Sequence, residues 1–257
     1  MTAILSVRDL EKTFGSIVAA RDISLDVPAE QTVGIIGANG AGKTTFINMI
    51  TGHLRPSRGS IRFGEHDITG RASREITRLG VSRSFQVAQI FASLTVFENM
   101  CAAAAVAAGA GGTRGPALAP LRSPQVLAQA EAAIDLFRIA PYRNVRAATL
   151  PQGVRKLLDI AMAVMGSPRV VLLDEPTSGI SIQDKFGIME VVMSALKSRR
   201  LTVLFVEHDM EIVERYADRV LAFYDGTVIA DGPPAVALAD PRVQNLISGT
   251  KRESARA

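Results

Sequence analysis

Residues 37–45 read Gly-Ala-Asn-Gly-Ala-Gly-Lys-Thr-Thr. Gly37, Gly40 and Gly42 carry no Cβ, so the backbone there can bend tightly and turn successive N–H groups inward. Lys43 adds a mobile cation and Thr44 a hydroxyl. These are the parts needed to seat a phosphate chain: amides and an ammonium for its charge, a hydroxyl for a Mg²⁺ ion. A second set lies far along the chain. Asp174 and Glu175 are adjacent carboxylates, one able to support a metal and the other to polarise a water, which suits hydrolysis. His208 can touch a terminal phosphate and orient that water. Gln86 is a neutral amide able to reach both metal and water.

The flanking residues supply the elements that must hold these groups. The glycine run follows an apolar stretch, Thr32-Val-Gly-Ile-Ile36, and precedes a helical pattern, Phe46-Ile-Asn-Met-Ile50, that stops at Gly52. Strand, glycine loop and helix in that order are the context of a phosphate-binding P-loop, with the helix dipole favouring an anion. Val170-Val-Leu-Leu173 is wholly apolar, as a strand buried on both faces is, and Asp174 stands at its tip. Leu201-Thr-Val-Leu-Phe-Val206 is a second such strand. His208 follows it, on the side of a parallel sheet where ligands bind. Gln86 follows a strand over 81–85.

Elsewhere the chain changes style twice. Residues 1–10 alternate like a strand, as does Asp22-Ile-Ser-Leu-Asp-Val27 until Pro28. Turns over 56–59 and 64–66 bracket a strand over 60–63, and a helix covers 71–79, ending at Gly80. His53 and His66 fall in turns and read as surface residues. From about 94 to 165 the chain is alanine-rich and helical. Val126, Leu127, Ala130, Ile134 and Phe137 share one helix face; Val154, Leu157, Leu158, Ala161, Met162 and Met165 share another. A loose Gly/Pro/Ala loop over 109–124 precedes the first of these faces. A helix over 184–197 and a hairpin around Asp225-Gly226 complete the pattern, and 251–257 read as a frayed tail. The whole is α/β, with a helical lobe inserted into a nucleotide domain.

Composition narrows the class. The 257 residues are 47% hydrophobic and 21% charged, enough for one large domain with a core. The formal charge of +4 and pI near 9.5 permit a nucleic-acid or membrane-surface partner without arguing for one. Cys101 is the only cysteine, so no internal disulfide forms and a reducing compartment fits. The N-terminus lacks a signal-peptide layout, and no apolar run is long enough to span a bilayer. The expectation is a soluble cytoplasmic protein whose membrane role runs through a partner.

Over residues 4 to about 248 the chain resembles the ATP-binding subunits of ABC transporters. Residues 37–44 match Walker A, Gln86 the Q-loop, residues 172–175 the end of Walker B with its catalytic glutamate, and His208 the switch histidine. Phe14, in Lys12-Thr-Phe-Gly15, matches the aromatic that stacks on adenine. The resemblance implies a P-loop NTPase with a RecA-like core, an antiparallel β subdomain and an inserted α-helical lobe. It implies one ABC ATPase domain over 1–248, with core over 1–85 and 166–248, lobe over 86–165, and a tail over 249–257. ATP and Mg²⁺ are the implied cofactors. The nucleotide set is Phe14, Gly37, Ala38, Asn39, Gly40, Ala41, Gly42, Lys43, Thr44 and Thr45. The metal set is Thr44, Gln86 and Asp174, and the catalytic set Lys43, Glu175 and His208. The implied partners are a second ATPase subunit, transmembrane permease subunits and indirectly a solute-binding protein, at the inner face of the cell membrane and without nucleic acid.

Arg83-Ser-Phe-Gln86, Leu94-Thr-Val-Phe-Glu-Asn99 and the long helical insertion resemble the larger ATPase subunit of branched-chain amino acid importers. ATPases for urea, aromatic acids and lipopolysaccharide export share much of this pattern. Two departures from the family stand out. Its signature reads Leu-Ser-Gly-Gly-Gln, but here the residues are Leu150-Pro-Gln-Gly-Val154, and proline offers neither hydroxyl nor N–H. Its Ser-Gly-Leu-Asp turn reads Ser178-Gly-Ile-Ser181. What acts on the chain's own nucleotide is intact, and what reaches a partner's nucleotide is altered, which points to a non-identical second subunit. The rival readings are a non-transport ABC ATPase and an ATP-dependent switch with weak turnover.

Overall fold

The computed structural model describes residues 3–84, 90–110 and 123–247. Gln86, most of the loop over 109–124 and the tail over 251–257 lie outside the described residues. In chain order the elements are β1 (Ala3–Phe14), β2 (Ile17–Pro28), β3 (Thr32–Gly37), α1 (Lys43–Ile50), β4 (Arg58–Phe63), β5 (His66–Asp67), α2 (Ser73–Leu79), β6 (Val81–Ser84), α3 (Val96–Ala110) and α4 (Pro124–Leu136). Then come α5 (Gln152–Ala163), β7 (Val170–Asp174), α6 (Ile182–Ser198), β8 (Thr202–Val206), α7 (Met210–Tyr216), β9 (Arg219–Tyr224), β10 (Thr227–Gly232), α8 (Pro234–Ala237) and α9 (Pro241–Leu246). They form two compact units, one of the described residues up to Ile76 and from Thr202 onward, the other Thr77–Leu201.

The first unit contains an antiparallel sheet in the order β2-β1-β4-β5. Its alternation is physical. Ile23, Leu25 and Val27 are buried while Asp22, Ser24 and Asp26 face solvent, the period of two that a half-buried strand requires. Pro28 is the last residue of β2 and pairs with Ala3, an end position where a missing N–H is tolerated. The β4 strand begins at Arg58, within the expected turn, because Arg58 already pairs with Glu11 of β1. His66, expected in a turn, lies in the short strand β5 opposite Phe63 and is exposed.

The same unit holds the strand order β10-β9-β3-β8. β3 runs parallel to β8 and to β9, and β10 returns antiparallel to β9. Val33, Ile35 and Ile36 of β3 and Val203, Leu204, Phe205 and Val206 of β8 are buried, so each strand is buried and apolar after its first threonine. Phe46 of α1 packs its ring 5.3 Å from that of Phe223 in β9. Arg219 ties this sheet to the other one. Its guanidinium grips both Asp231 oxygens, at 2.5 and 2.6 Å, and donates to the Asp26 carbonyl at 2.6 Å.

In the second unit β6 lies parallel to β7, with Val81 opposite Val170 and Ser84 opposite Leu173. Every residue of β7 is buried. The α5 helix packs on β6, where the Ser82 hydroxyl donates to the Ala163 carbonyl at 2.6 Å. The α3 helix starts at a capping box: Thr95 N–H donates to the Glu98 carboxylate and Glu98 N–H to the Thr95 hydroxyl, an arrangement worth about 1 kcal/mol. Ala104 and Ala105 of α3 and Val126, Ala130 and Ile134 of α4 are buried where these two helices meet. The helix expected over 71–79 and that over 184–197 match α2 and α6 within two residues at each end.

Candidate functional site

The glycine loop leaves β3 and enters α1. Gly37 has φ 153, and a Cβ there would lie 2.5 Å from the Phe223 carbonyl oxygen. Gly42 has φ 100, and a Cβ there would lie 2.6 Å from the Ala19 carbonyl oxygen. Neither position accepts a side chain, so the loop lies flat on β9 and β2. A chain of main-chain bonds braces it: Ala41 N–H donates to Ala38 O at 3.1 Å, Gly226 N–H to Ala41 O at 3.1 Å, and Arg21 N–H to Gly226 O at 2.8 Å. Gly42 occupies the N-cap of α1 with no side-chain cap, and a helix N-terminus of this kind favours an anion.

Lys43 is 5% exposed, and its ammonium is folded into the loop, donating to Gly37 O at 2.6 Å and Ala38 O at 2.9 Å. A buried cation held on carbonyl oxygens is already desolvated and sits at the N-terminus of α1. Ala38, Asn39, Gly40 and Thr44 are exposed, Ala41 is buried and Thr45 is half-buried. The loop therefore sets exposed residues 38–40 and the exposed Thr44 around a buried positive charge, which can take polyanionic phosphate.

His208 follows β8, the parallel neighbour of β3. Ile35 pairs with Val206, so the glycine loop and His208 leave the same edge of the sheet. The imidazole is exposed, and its own N–H of the main chain donates to the Glu207 carboxylate at 3.2 Å. Asp209 then caps α7, accepting from Glu211 N–H at 3.0 Å. Phe14 ends β1 with 49% of its surface exposed, beside exposed Ile17, and Lys12 Nζ lies 5.0 Å from its ring centroid. An open aromatic face of this kind can stack on a flat base.

In the second unit Asp174 ends β7 and is 8% exposed. Its Oδ2 accepts from Arg83 Nη2 at 2.6 Å, and both side chains are about nine-tenths hidden. Removing one partner of so buried a pair costs about 3–5 kcal/mol. Glu175 is half-buried and has φ 47, a left-handed backbone costing a non-glycine residue roughly 1–2 kcal/mol. Such strain concentrates at working sites. Pro151 is the N-cap of α5 and makes no side-chain cap bond. Gln152 leans over the turn before α6: a Cβ on Gly179 would come 2.0 Å from its Nε2. Ser181 caps α6, accepting from Asp184 N–H at 3.2 Å.

Thr44 and Asp174 are oxygen donors, the chemistry a hard cation such as Mg²⁺ takes. Among the described residues no group of three or more His, Cys, Asp or Glu side chains could form a metal cage. That fits an ion that binds largely through substrate phosphates and needs few protein ligands. Three largely buried charged residues, Arg83, Lys156 and Asp159, are not singled out by the sequence, and the first two contact Asp174. Lys156 and Asp159 lie on the buried face of α5, and Lys156 Nζ comes 3.5 Å from the Asp174 carbonyl oxygen. The available signal was charge placed among apolar positions, at 83 in a strand and at 156 and 159 in a helix.

The family described as ABC transporter matches residues 20–178. The high-affinity branched-chain amino acid transport ATP-binding protein LivG of Salmonella typhimurium is 33% identical over 243 residues, covering 93% of this chain and 95% of that protein. The corresponding BraF of Pseudomonas aeruginosa is 32% identical over 243 residues, with the same coverage of 93% and 95%. Among solved structures, the ATP-binding cassette MJ1267 superposes with a TM-score of 0.84 at 28% identity, covering 96% of this chain and 99% of that one. The ADP conformation of the same cassette superposes with a TM-score of 0.82, at 28% identity and with 96% and 98% covered. The mixed α/β fold is thus that of the nucleotide-binding P-loop cassettes. No described helix is long and apolar enough to cross a membrane.

Proposed function

Because the chain belongs to the ABC transporter family of ATP-hydrolysing subunits, we propose that it energises uptake of branched-chain amino acids. It works at the inner face of the cell membrane, paired with a second ATPase subunit and docked on permease subunits that receive cargo from a solute-binding protein. Relatives named for branched-chain amino acid transport support the cargo class. The observation that carries the reading is the buried Lys43 ammonium folded onto the Gly37 and Ala38 carbonyls of the glycine loop.

The residue roles follow from charge and reach. Lys43 exchanges the Gly37 and Ala38 carbonyls for the β- and γ-phosphates of ATP, and the amides over 38–45 take the remaining charge. Bound Mg²⁺ neutralises charge on those phosphate oxygens. Thr44 and Gln86 would ligate the ion, and Asp174 would support it. Glu175 accepts a proton from the attacking water, and His208 holds the γ-phosphate. Phe14 offers its open face to adenine. The domain over 1–248 works as a core with a helical lobe over 86–165, and the lobe carries the permease contact. Crosslinks to a permease loop are expected within 86–165; crosslinks found only elsewhere would remove the lobe from docking. In proteoliposomes with permease and binding protein, ATP-dependent leucine uptake supports the cargo assignment. Uptake of urea or an aromatic acid in its place overturns it.

The N-cap proline supports a second reading, weak turnover in a homodimer. Pro151 gives a facing subunit no hydroxyl, while Lys43, Glu175 and His208 serve the chain's own ATP. A heterodimer with a subunit carrying an intact signature then has one complete site and one poor one. A lost charge-assisted hydrogen bond costs roughly 1.5–3 kcal/mol, so the gap between the sites is about ten- to a hundredfold. The double replacement Pro151→Ser with Val154→Gln should raise the ATPase rate of the isolated protein by that order. An unchanged rate would mean that the altered signature does not limit turnover.

A further inference from the structure

The buried charges of the second unit gather on one residue. Every side chain of β7 before Asp174 is aliphatic and buried, and Asp174 is the only carboxylate on that strand. Its Oδ2 is taken by Arg83 Nη2 at 2.6 Å, a single-oxygen grip rather than a two-oxygen fork. Among the described residues no other hydrogen bond reaches the carboxylate, so Oδ1 is left for something else. Arg83 reaches it from β6, where it stands opposite Leu172, two residues before Asp174. Lys156, from α5, approaches the main-chain oxygen of the same residue at 3.5 Å. Strand and helix thus fix both ends of Asp174.

A buried carboxylate holds one orientation only if a partner compensates its lost water and stops its rotation. Arg83 does both through Oδ2 alone. From this geometry we infer that Arg83 is a positioning residue for the divalent cation that accompanies ATP: it fixes Asp174 through Oδ2 and leaves Oδ1 for the ion or its water. The inference rests on the reading of Asp174 as the metal-supporting carboxylate. An arginine that merely competes with the metal for Asp174 would have the opposite effect, since its removal would tighten metal binding. An arginine that only stabilises the strand pair would leave metal affinity alone.

The test uses the full chain loaded with a non-hydrolysable ATP analogue, titrated with Mn²⁺ and read by electron paramagnetic resonance. Arg83→Met should weaken Mn²⁺ binding about tenfold or more, the usual effect of deleting a hydrogen bond to a metal-supporting carboxylate. Nucleotide affinity in EDTA should not change. Arg83→Lys should recover part of the loss, since an ammonium can still hold one oxygen. In an Asp174→Asn background, adding Arg83→Met should produce no further loss, because the two residues act as one. Where Arg83→Met is unfolded by circular dichroism, Arg83→Gln replaces it with the same expectations. Mn²⁺ affinity that is unchanged or tighter in a folded variant overturns the inference, as do losses that multiply in the double variant. A wild-type nucleotide complex that takes up no Mn²⁺ overturns the reading of Asp174 and this inference with it. Normal wild-type uptake with indifferent variants overturns the inference alone.

Discussion

Lys43→Ala is expected to abolish ATP turnover and to weaken nucleotide binding. Lys43 is 5% exposed, and its ammonium donates to two loop carbonyls. When phosphate arrives, that charge has already lost its water, so the exchange of carbonyl for phosphate oxygen gains a charge-assisted bond at little desolvation cost. Each such bond is worth roughly 1.5–3 kcal/mol, which sets a binding loss of about ten- to a hundredfold. The rate falls further, since charge grows on the transferring phosphoryl group and a single lost donor to such charge costs on the order of 10²–10³ in rate. The variant also leaves the Gly37 and Ala38 carbonyls without this donor, a stability loss of about 1–3 kcal/mol. Phosphate release and calorimetric titration with ATP measure the two effects. Retained turnover would take the loop lysine out of the mechanism. Lys43→Arg should not rescue, because a planar fork does not fit a pocket shaped around a point charge.

Glu175→Gln should bind ATP normally yet turn over about 10²–10⁴-fold more slowly, the usual contribution of a positioned general base. The replacement keeps size and shape, and its amide cannot take a proton. Because binding survives while cleavage fails, the variant should accumulate as an ATP-bound dimer on gel filtration. Near-wild-type turnover would hand the base role to another residue. The backbone offers a second comparison. Glu175 sits at φ 47, where glycine is at ease. Glu175→Gly should therefore melt no lower than wild type while losing activity just as completely. Strain relieved and catalysis lost in one substitution is the pattern of a residue retained for its chemistry.

Much of this was legible before any coordinates. The glycine loop was, because its residue types serve main-chain geometry and must sit consecutively. Asp174 was, because a charge at the tip of an aliphatic strand needs a reason. The alternation from Asp22 to Val27 located β2 for the same local cause. Pairings across long stretches of chain were not legible. Arg83 and Asp174 are 91 residues apart, and no periodicity links a strand arginine to a later strand's last residue. Lys156 and Asp159 flank Leu157 and Leu158 on α5, and helical spacing alone reads them as the polar shoulder of an apolar face. Both are buried in the fold, at 5% and 4% exposure, and Lys156 meets the Asp174 carbonyl, which is a tertiary fact. The early start of β4 has the same origin: a turn-like Arg58-Gly59 is drawn into the ladder by its partner strand.

The brace under the phosphate loop has a consequence for how this sequence can drift. Ala38, Ala41, Gly226 and Arg21 are joined through main-chain atoms only. Such bonds do not read side chains. The exposed side chains of Arg21 and Ala38 can be exchanged for most others and the loop keeps its shape. The fixed requirement is for absent atoms: a Cβ on Gly42 would lie 3.2 Å from the Gly226 Cα and nearer still to the Ala19 carbonyl. A library randomised at these positions should tolerate nearly anything at 21 and 38, and at 42 nothing but hydrogen.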